Sequence, residues 1–94
     1  MNDTPIWRVE FDPGALRDLR KIGGSARAAI LRYLRERIAT KEDPRRFGHA
    51  LLGDLRGLWR YRVGDYRIIA DIKDEKILVV VVGGRSQARG LRLI

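Results

Sequence analysis

Leu58-Trp59-Arg60-Tyr61-Arg62-Val63-Gly64-Asp65-Tyr66-Arg67-Ile68-Ile69-Ala70-Asp71-Ile72 decides the fold. Two alternating runs flank Gly64-Asp65, a two-residue hairpin signal. With that pair as the turn, Val63 falls opposite Tyr66, Arg62 opposite Arg67, Tyr61 opposite Ile68, Arg60 opposite Ile69 and Trp59 opposite Ala70. Side chains along a strand alternate between faces. One face therefore carries Trp59, Tyr61, Val63, Tyr66, Ile68, Ala70 and Ile72, a core face. The other carries Arg60, Arg62, Arg67, Ile69 and Asp71.

Downstream, Lys73 to Lys76 is a charged turn, and Ile77 to Val82 is an unbroken apolar run. Such a run predicts an interior strand covered on both faces, ended by Gly83-Gly84. The basic tail from Arg85 to Ile94 reads as partly helical. Upstream, Ile6 to Phe11 is β-branched and aromatic and predicts a strand. Asp12 is placed to cap a short helix with Pro13 at its first position. Ala15, Leu16, Leu19 and Ile22 give that helix, over 13–22, an apolar face, and Gly23-Gly24 stops it. Ser25 is expected to cap a second helix ending near Thr40, with Ala28, Leu31, Leu34 and Ile38 as its stripe. Residues 45–57, rich in Gly, read as an ordered loop with one helical turn. The result is an α+β chain in the order β-α-α-β-β-β, a single domain over 1–94. Its last three strands form an antiparallel meander, with the two helices packed on one face through Leu16, Leu19, Leu31 and Leu34.

The net charge of +8 is uneven. Residues 1–43 carry +2 and residues 44–94 carry +6, with 16 Arg against 4 Lys in the whole chain. A cationic half rich in planar, two-pronged guanidinium groups points to a polyanion, nucleic acid first. The absence of Cys rules out a disulfide framework, a Cys-built zinc site and a thiol nucleophile. One His leaves no room for a His-rich metal site. The longest apolar run is too short to span a bilayer. Met1 to Pro5 shows no charged-then-apolar leader, so a cytoplasmic protein without membrane partners is expected.

Arg62 directly opposite Arg67 is unfavourable by itself, unless an anion bridges the pair. A phosphate, a partner's carboxylate, Asp65 and Asp71 are the candidate bridges. Arg85 follows two glycines that would let the chain bend it toward the same face. Gly83-Gly84-Arg85-Ser86 lacks the spacing and Lys of a P-loop. No carboxylate set suits a two-metal nuclease. His49 is the only conventional general base, and as a lone His in the Gly-rich stretch it reads as incidental. Tyr61 and Tyr66 read as packing residues, and Ser86 has no base beside it. Any cleavage of nucleic acid would need neither metal nor cofactor. Arginines would fix the scissile phosphate and offset transition-state charge, and RNA would bring its own 2′-OH nucleophile.

The segment Leu52 to Ala70 resembles the RelE branch of the RelE/ParE toxin superfamily. So do the Asp12-x-x-Ala15-x-x-x-Leu19 opening, the Val-rich strand and the Val82-Gly83-Gly84-Arg85 close. The resemblance covers nearly the whole chain. It implies a β-α-α-β-β-β microdomain and a type II toxin: an endoribonuclease, or mRNA interferase, that cuts ribosome-bound mRNA and is held by a cognate antitoxin in a hetero-oligomer. It assigns Arg62, Arg67 and Arg85 to catalysis and Arg60 and Arg62 to RNA or phosphate binding; Arg56 and Arg89, on the same cationic half, are further candidates for RNA or phosphate binding. Two positions depart from the pattern. Gly84 stands where a His or Lys is common, and Leu91 where a Tyr is common. Those departures also fit a ParE-like inhibitor of DNA gyrase, or a weakened antitoxin- or RNA-binding module.

Overall fold

The Gly64-Asp65 hairpin forms with the register read from its turn, in a computed structural model that describes residues 6–84. Gly64 takes φ +58°, which glycine adopts freely and which suits the first position of a tight hairpin turn. Strands β3 (Leu58–Val63) and β4 (Tyr66–Lys73) are its arms, and β5 (Lys76–Gly84) completes the antiparallel meander. Strand β1 (Arg8–Phe11) pairs parallel with β5, and β2 (His49–Ala50) pairs antiparallel with β3. The five-stranded sheet has the order β1-β5-β4-β3-β2.

Helix α1 (Pro13–Lys21) and helix α2 (Gly24–Tyr33) cover one face. Asp12 caps α1 as expected, its Oδ1 accepting from the Ala15 amide at 2.8 Å. Ser25 does not cap α2; Gly23 holds that position, with no side-chain cap. The helix pair is instead tied by Arg27. Its guanidinium donates to the carbonyls of Leu19 (3.1 Å), Arg20 (3.1 Å) and Ile22 (2.9 Å), the orphan acceptors at the end of α1.

The buried stripe of α2 also differs from the one read in the sequence. Ile30, Leu34 and Ile38 are buried and Ala26 packs beside them, whereas Ala28 and Leu31 face solvent. Leu16 of α1 is likewise exposed, at 37%, so Leu19 and Leu34 enter the core without Leu16 and Leu31. A stripe spaced every four residues drifts about 40° per step around an ordinary α-helix. Here Leu34–Ile38 is a π turn, closed by the Ala39 amide donating to the Leu34 carbonyl at 2.8 Å. Its wider ring keeps Ile38 on the buried side.

Residues 45–57 are more structured than a loop. A 3-10 turn (Pro44–Phe47), strand β2 and a second 3-10 turn (Gly53–Leu55) lead into β3. Tyr61, wholly buried, donates its hydroxyl to the Pro44 carbonyl at 2.8 Å and pins the first turn to the sheet. Gly48 then lies against Tyr61. A Cβ there would sit 3.1 Å from Tyr61 Cε1 and 3.3 Å from Trp59 Cε3, a fit tight enough that the two rings would have to shift to admit it.

The apolar run of β5 resolves into two faces through a β-bulge. Ala70 pairs with Val79 and Ile69 with Val81, leaving Val80 as the extra residue. The insertion switches parity, so Ile77, Val79 and Val82 are all buried in the core. Leu78, Val80 and Val81 are only half-buried, so the strand is not sealed on both sides. The strand does not end at Gly83-Gly84. It continues through them, with Gly83 opposite Arg67 and Gly84 opposite Tyr66.

Candidate functional site

Directly opposed residues share a sheet face, and the register sorts the face opposite the helices into rows. The row nearest the Gly64-Asp65 turn holds Arg62, Arg67 and Gly83. The next holds His49, Arg60, Ile69 and Val81. The third holds Leu58, Asp71, Leu78 and Glu10. Beyond them come Lys73, Lys76 and Arg8. Arg60, Arg62 and Arg67 are therefore gathered at the turn end, and a second cationic row, Lys73, Lys76 and Arg8, lies at the other end beside the acids.

Among the described residues, no carboxylate lies within ion-pair distance of Arg60, Arg62 or Arg67. The acids of this face sit at the other end. Asp71 reaches Lys73 at 4.0 Å and Glu10 reaches Lys76 at 3.8 Å. Neither local bridge suggested by the sequence forms, because Asp71 faces Leu58 and Asp65 makes no ion pair with the arginines beside it. The Arg62–Arg67 opposition thus stands without an anion among the described residues. Gly83, next to Arg67, is buried and contributes only backbone to that row. Ile69 is 3% exposed, flanked by Arg60 and Val81, so the cations stand on an apolar floor that lowers the local dielectric.

Other arginines are committed elsewhere. Arg45 pairs with Asp43 at 3.1 Å and lies over the Trp7 and Trp59 rings, and Arg46 pairs with Glu42 at 2.6 Å. The amide and guanidinium of Arg45 hold the Asp43 carboxyl below its usual range. Burial pushes the Tyr61 phenol well above its ordinary range and raises Tyr33 too. Both stay neutral at physiological pH, and Tyr61 points into the core, which leaves it no part in proton transfer on the arginine face.

A family model described as "ParE toxin of type II toxin-antitoxin system, parDE" matches residues 9–89. The chain belongs to the RelE/ParE toxin superfamily. The curated Toxin RelE of Mycobacterium tuberculosis is 30% identical over 88 residues, 92% of this chain and 89% of that protein. The crystal structure of the toxin–antitoxin complex RelBE2 from the same organism matches with TM-score 0.77 and 29% identity, over 85% of this chain and 99% of that one. The isolated E. coli RelE toxin shares the fold, with TM-score 0.65 at 20% identity, over 94% and 99% of the two chains.

Against the superfamily pattern, Arg60, Arg62 and Arg67 fall on one face, two of them opposed. Arg56 does not join them. It lies in the turn before β3, outside the paired rows and at the end of β3 away from the Gly64-Asp65 turn. Arg85 and Arg89 lie outside the described residues, as does Leu91. Gly84 forms the last residue of β5. The sequence reading set His49 aside, and the structure puts it opposite Arg60 on the same face. A two-residue strand shows no alternation, so only its pairing with β3 exposes this placement.

Proposed function

We propose that this toxin cleaves mRNA on the ribosome, using arginines in place of a metal. The carrying observation is the Arg62–Arg67 pair, with Arg60 one row away, on the face opposite the helices and without a described carboxylate partner. Two guanidinium groups spaced across a strand pair can each take a non-bridging oxygen of one phosphodiester. They then oppose the extra negative charge that develops as the 2′-OH attacks phosphorus. Arg60 extends the contact to a neighbouring phosphate, and Arg85, by the superfamily pattern, adds a further cation. A cytoplasmic location follows from a ribosomal target; no helix among the described residues is long and apolar enough to cross a membrane. A cognate antitoxin bearing acidic residues would cover Arg62 and Arg67 and supply the missing counter-charge.

Induced expression with mapping of mRNA 5′ ends tests this reading. The expected result is growth arrest with new ends inside translated codons, lost for Arg67→Ala. A second reading, inhibition of DNA gyrase, is favoured by the ParE description of the matching family model and by Gly84 in place of His or Lys. DNA double-strand breaks with intact mRNA would select it.

A further inference from the structure

We propose that Asp18 is a positioning residue for the arginine row, holding the end of β5 beside Arg67. The inference rests on that row being the cleavage site. Ala15, Asp18, Leu19 and Ile22 follow helical spacing, and the three apolar members of that stripe are buried in the core. A carboxylate thus stands where an apolar side chain would be expected. It is half-buried and makes no ion pair among the described residues. Its Oδ2 instead accepts from the Val82 amide at 3.2 Å, across 64 residues of chain. A carboxylate drawn out of water needs such a donor to offset its lost solvation.

The sheet topology gives that bond its purpose. Strand β1 pairs with β5 only as far as Phe11 opposite Val79. The chain then leaves for α1, and the Asp12 amide donates to the Val79 carbonyl at 3.0 Å. The bulge at Val80 follows. Past it, Val82, Gly83 and Gly84 pair with β4 on one side, and no described strand pairs with them on the other. Asp18 supplies for Val82 the acceptor that a longer β1 would have supplied. The next two residues are glycines, which bring no side chain to pack the segment in place and have the most backbone freedom to lose. Arg67 lies between Arg62 on β3 and Gly83 on β5, so its placement depends on this segment, which also leads in sequence into Arg85. A displacement of about 1 Å at a group that meets the transition state can cost roughly 10²-fold in rate. RNA affinity, shared among several phosphate contacts, is much less sensitive to it.

The test compares the unchanged protein with Asp18→Leu and Asp18→Asn. Leucine completes the apolar stripe but accepts no hydrogen bond; asparagine keeps an acceptor oxygen in nearly the same shape. Three quantities are read: the melting temperature, the hydrogen-exchange rate of the Val82 amide, and single-turnover cleavage of a defined mRNA on purified ribosomes. Asp18→Leu should melt no lower than the unchanged protein, exchange its Val82 amide about tenfold faster or more, and cut about 10–100-fold more slowly at saturating protein. Its half-saturating concentration should change less than about threefold, the mark of an effect on the step rather than on binding. Asp18→Asn should stay within about threefold of the unchanged protein in both rate and exchange. A folded Asp18→Leu protein with unaltered cutting, or an Asp18→Asn protein as slow as Asp18→Leu, would overturn the assignment and leave the endonuclease reading intact. So would a loss of rate no larger than the fraction unfolded. No cleavage by the unchanged protein would overturn both.

Discussion

Arg62 and Arg67 face each other across a strand pair with no acid between them. A directly opposed like-charge pair destabilises a sheet by roughly 0.2–1 kcal/mol, a cost that no described carboxylate offsets and that a bound anion would relieve. Arg62→Thr should raise stability by a few tenths to about 1 kcal/mol while reducing mRNA cleavage at least tenfold. Urea unfolding and primer extension on the same preparation check the two signs. Tyr61 gives a prediction of a different kind. Its folded phenol ionises at higher pH than the unfolded one, whose ordinary value is 10.0. The contribution of the neutral group is therefore complete below about pH 10 and is lost as pH rises beyond it. Tyr61→Phe should be less stable at neutral pH by about 1 kcal/mol, the hydrogen bond to Pro44 being lost. It should also show a shallower alkaline decline, read from urea midpoints between about pH 8 and 11.

Elements show where sequence pattern runs out. The β3–β4 hairpin was legible because a two-residue turn fixes register and alternation fixes the faces. The α2 stripe was misread because a four-residue period fits a helix only if a π turn absorbs the drift, and no composition signal marks one. The apolar run of β5 hid its bulge, since six consecutive hydrophobic residues look alike in either parity. The β4–β5 turn carries visible strain. Asp74 and Glu75 both hold positive φ, at 55° and 63°, where non-glycine residues lose roughly 1–2 kcal/mol each. Glu75→Gly should stabilise the protein by about 1 kcal/mol, measured as a rise in melting temperature with cleavage unchanged. Arg27→Ala removes three hydrogen bonds from the end of α1. It should lower stability by about 1–2 kcal/mol in urea unfolding.

At the scale of the molecule, the helices seal one sheet face and leave the other cationic toward the hairpin turn, with its carboxylates engaged by lysines at the far end. The arginine cluster could be read from the sequence because one hairpin holds Arg60, Arg62 and Arg67. His49 could not, because it reaches that face through a strand too short to show a period. A surface that acts by displacing counterions should bind single-stranded RNA with a steep salt dependence. Each arginine removed should flatten the slope of log affinity against log salt by roughly 0.7, an effect visible by fluorescence anisotropy for Arg60→Gln. The most direct measurement is 5′-end mapping of mRNA on purified, programmed ribosomes with the unchanged toxin and with Arg67→Ala, alongside their melting curves. The account predicts cuts within the translated codons for the unchanged toxin and none for Arg67→Ala, with both proteins folded alike. Undiminished cutting by a folded Arg67→Ala protein would contradict it.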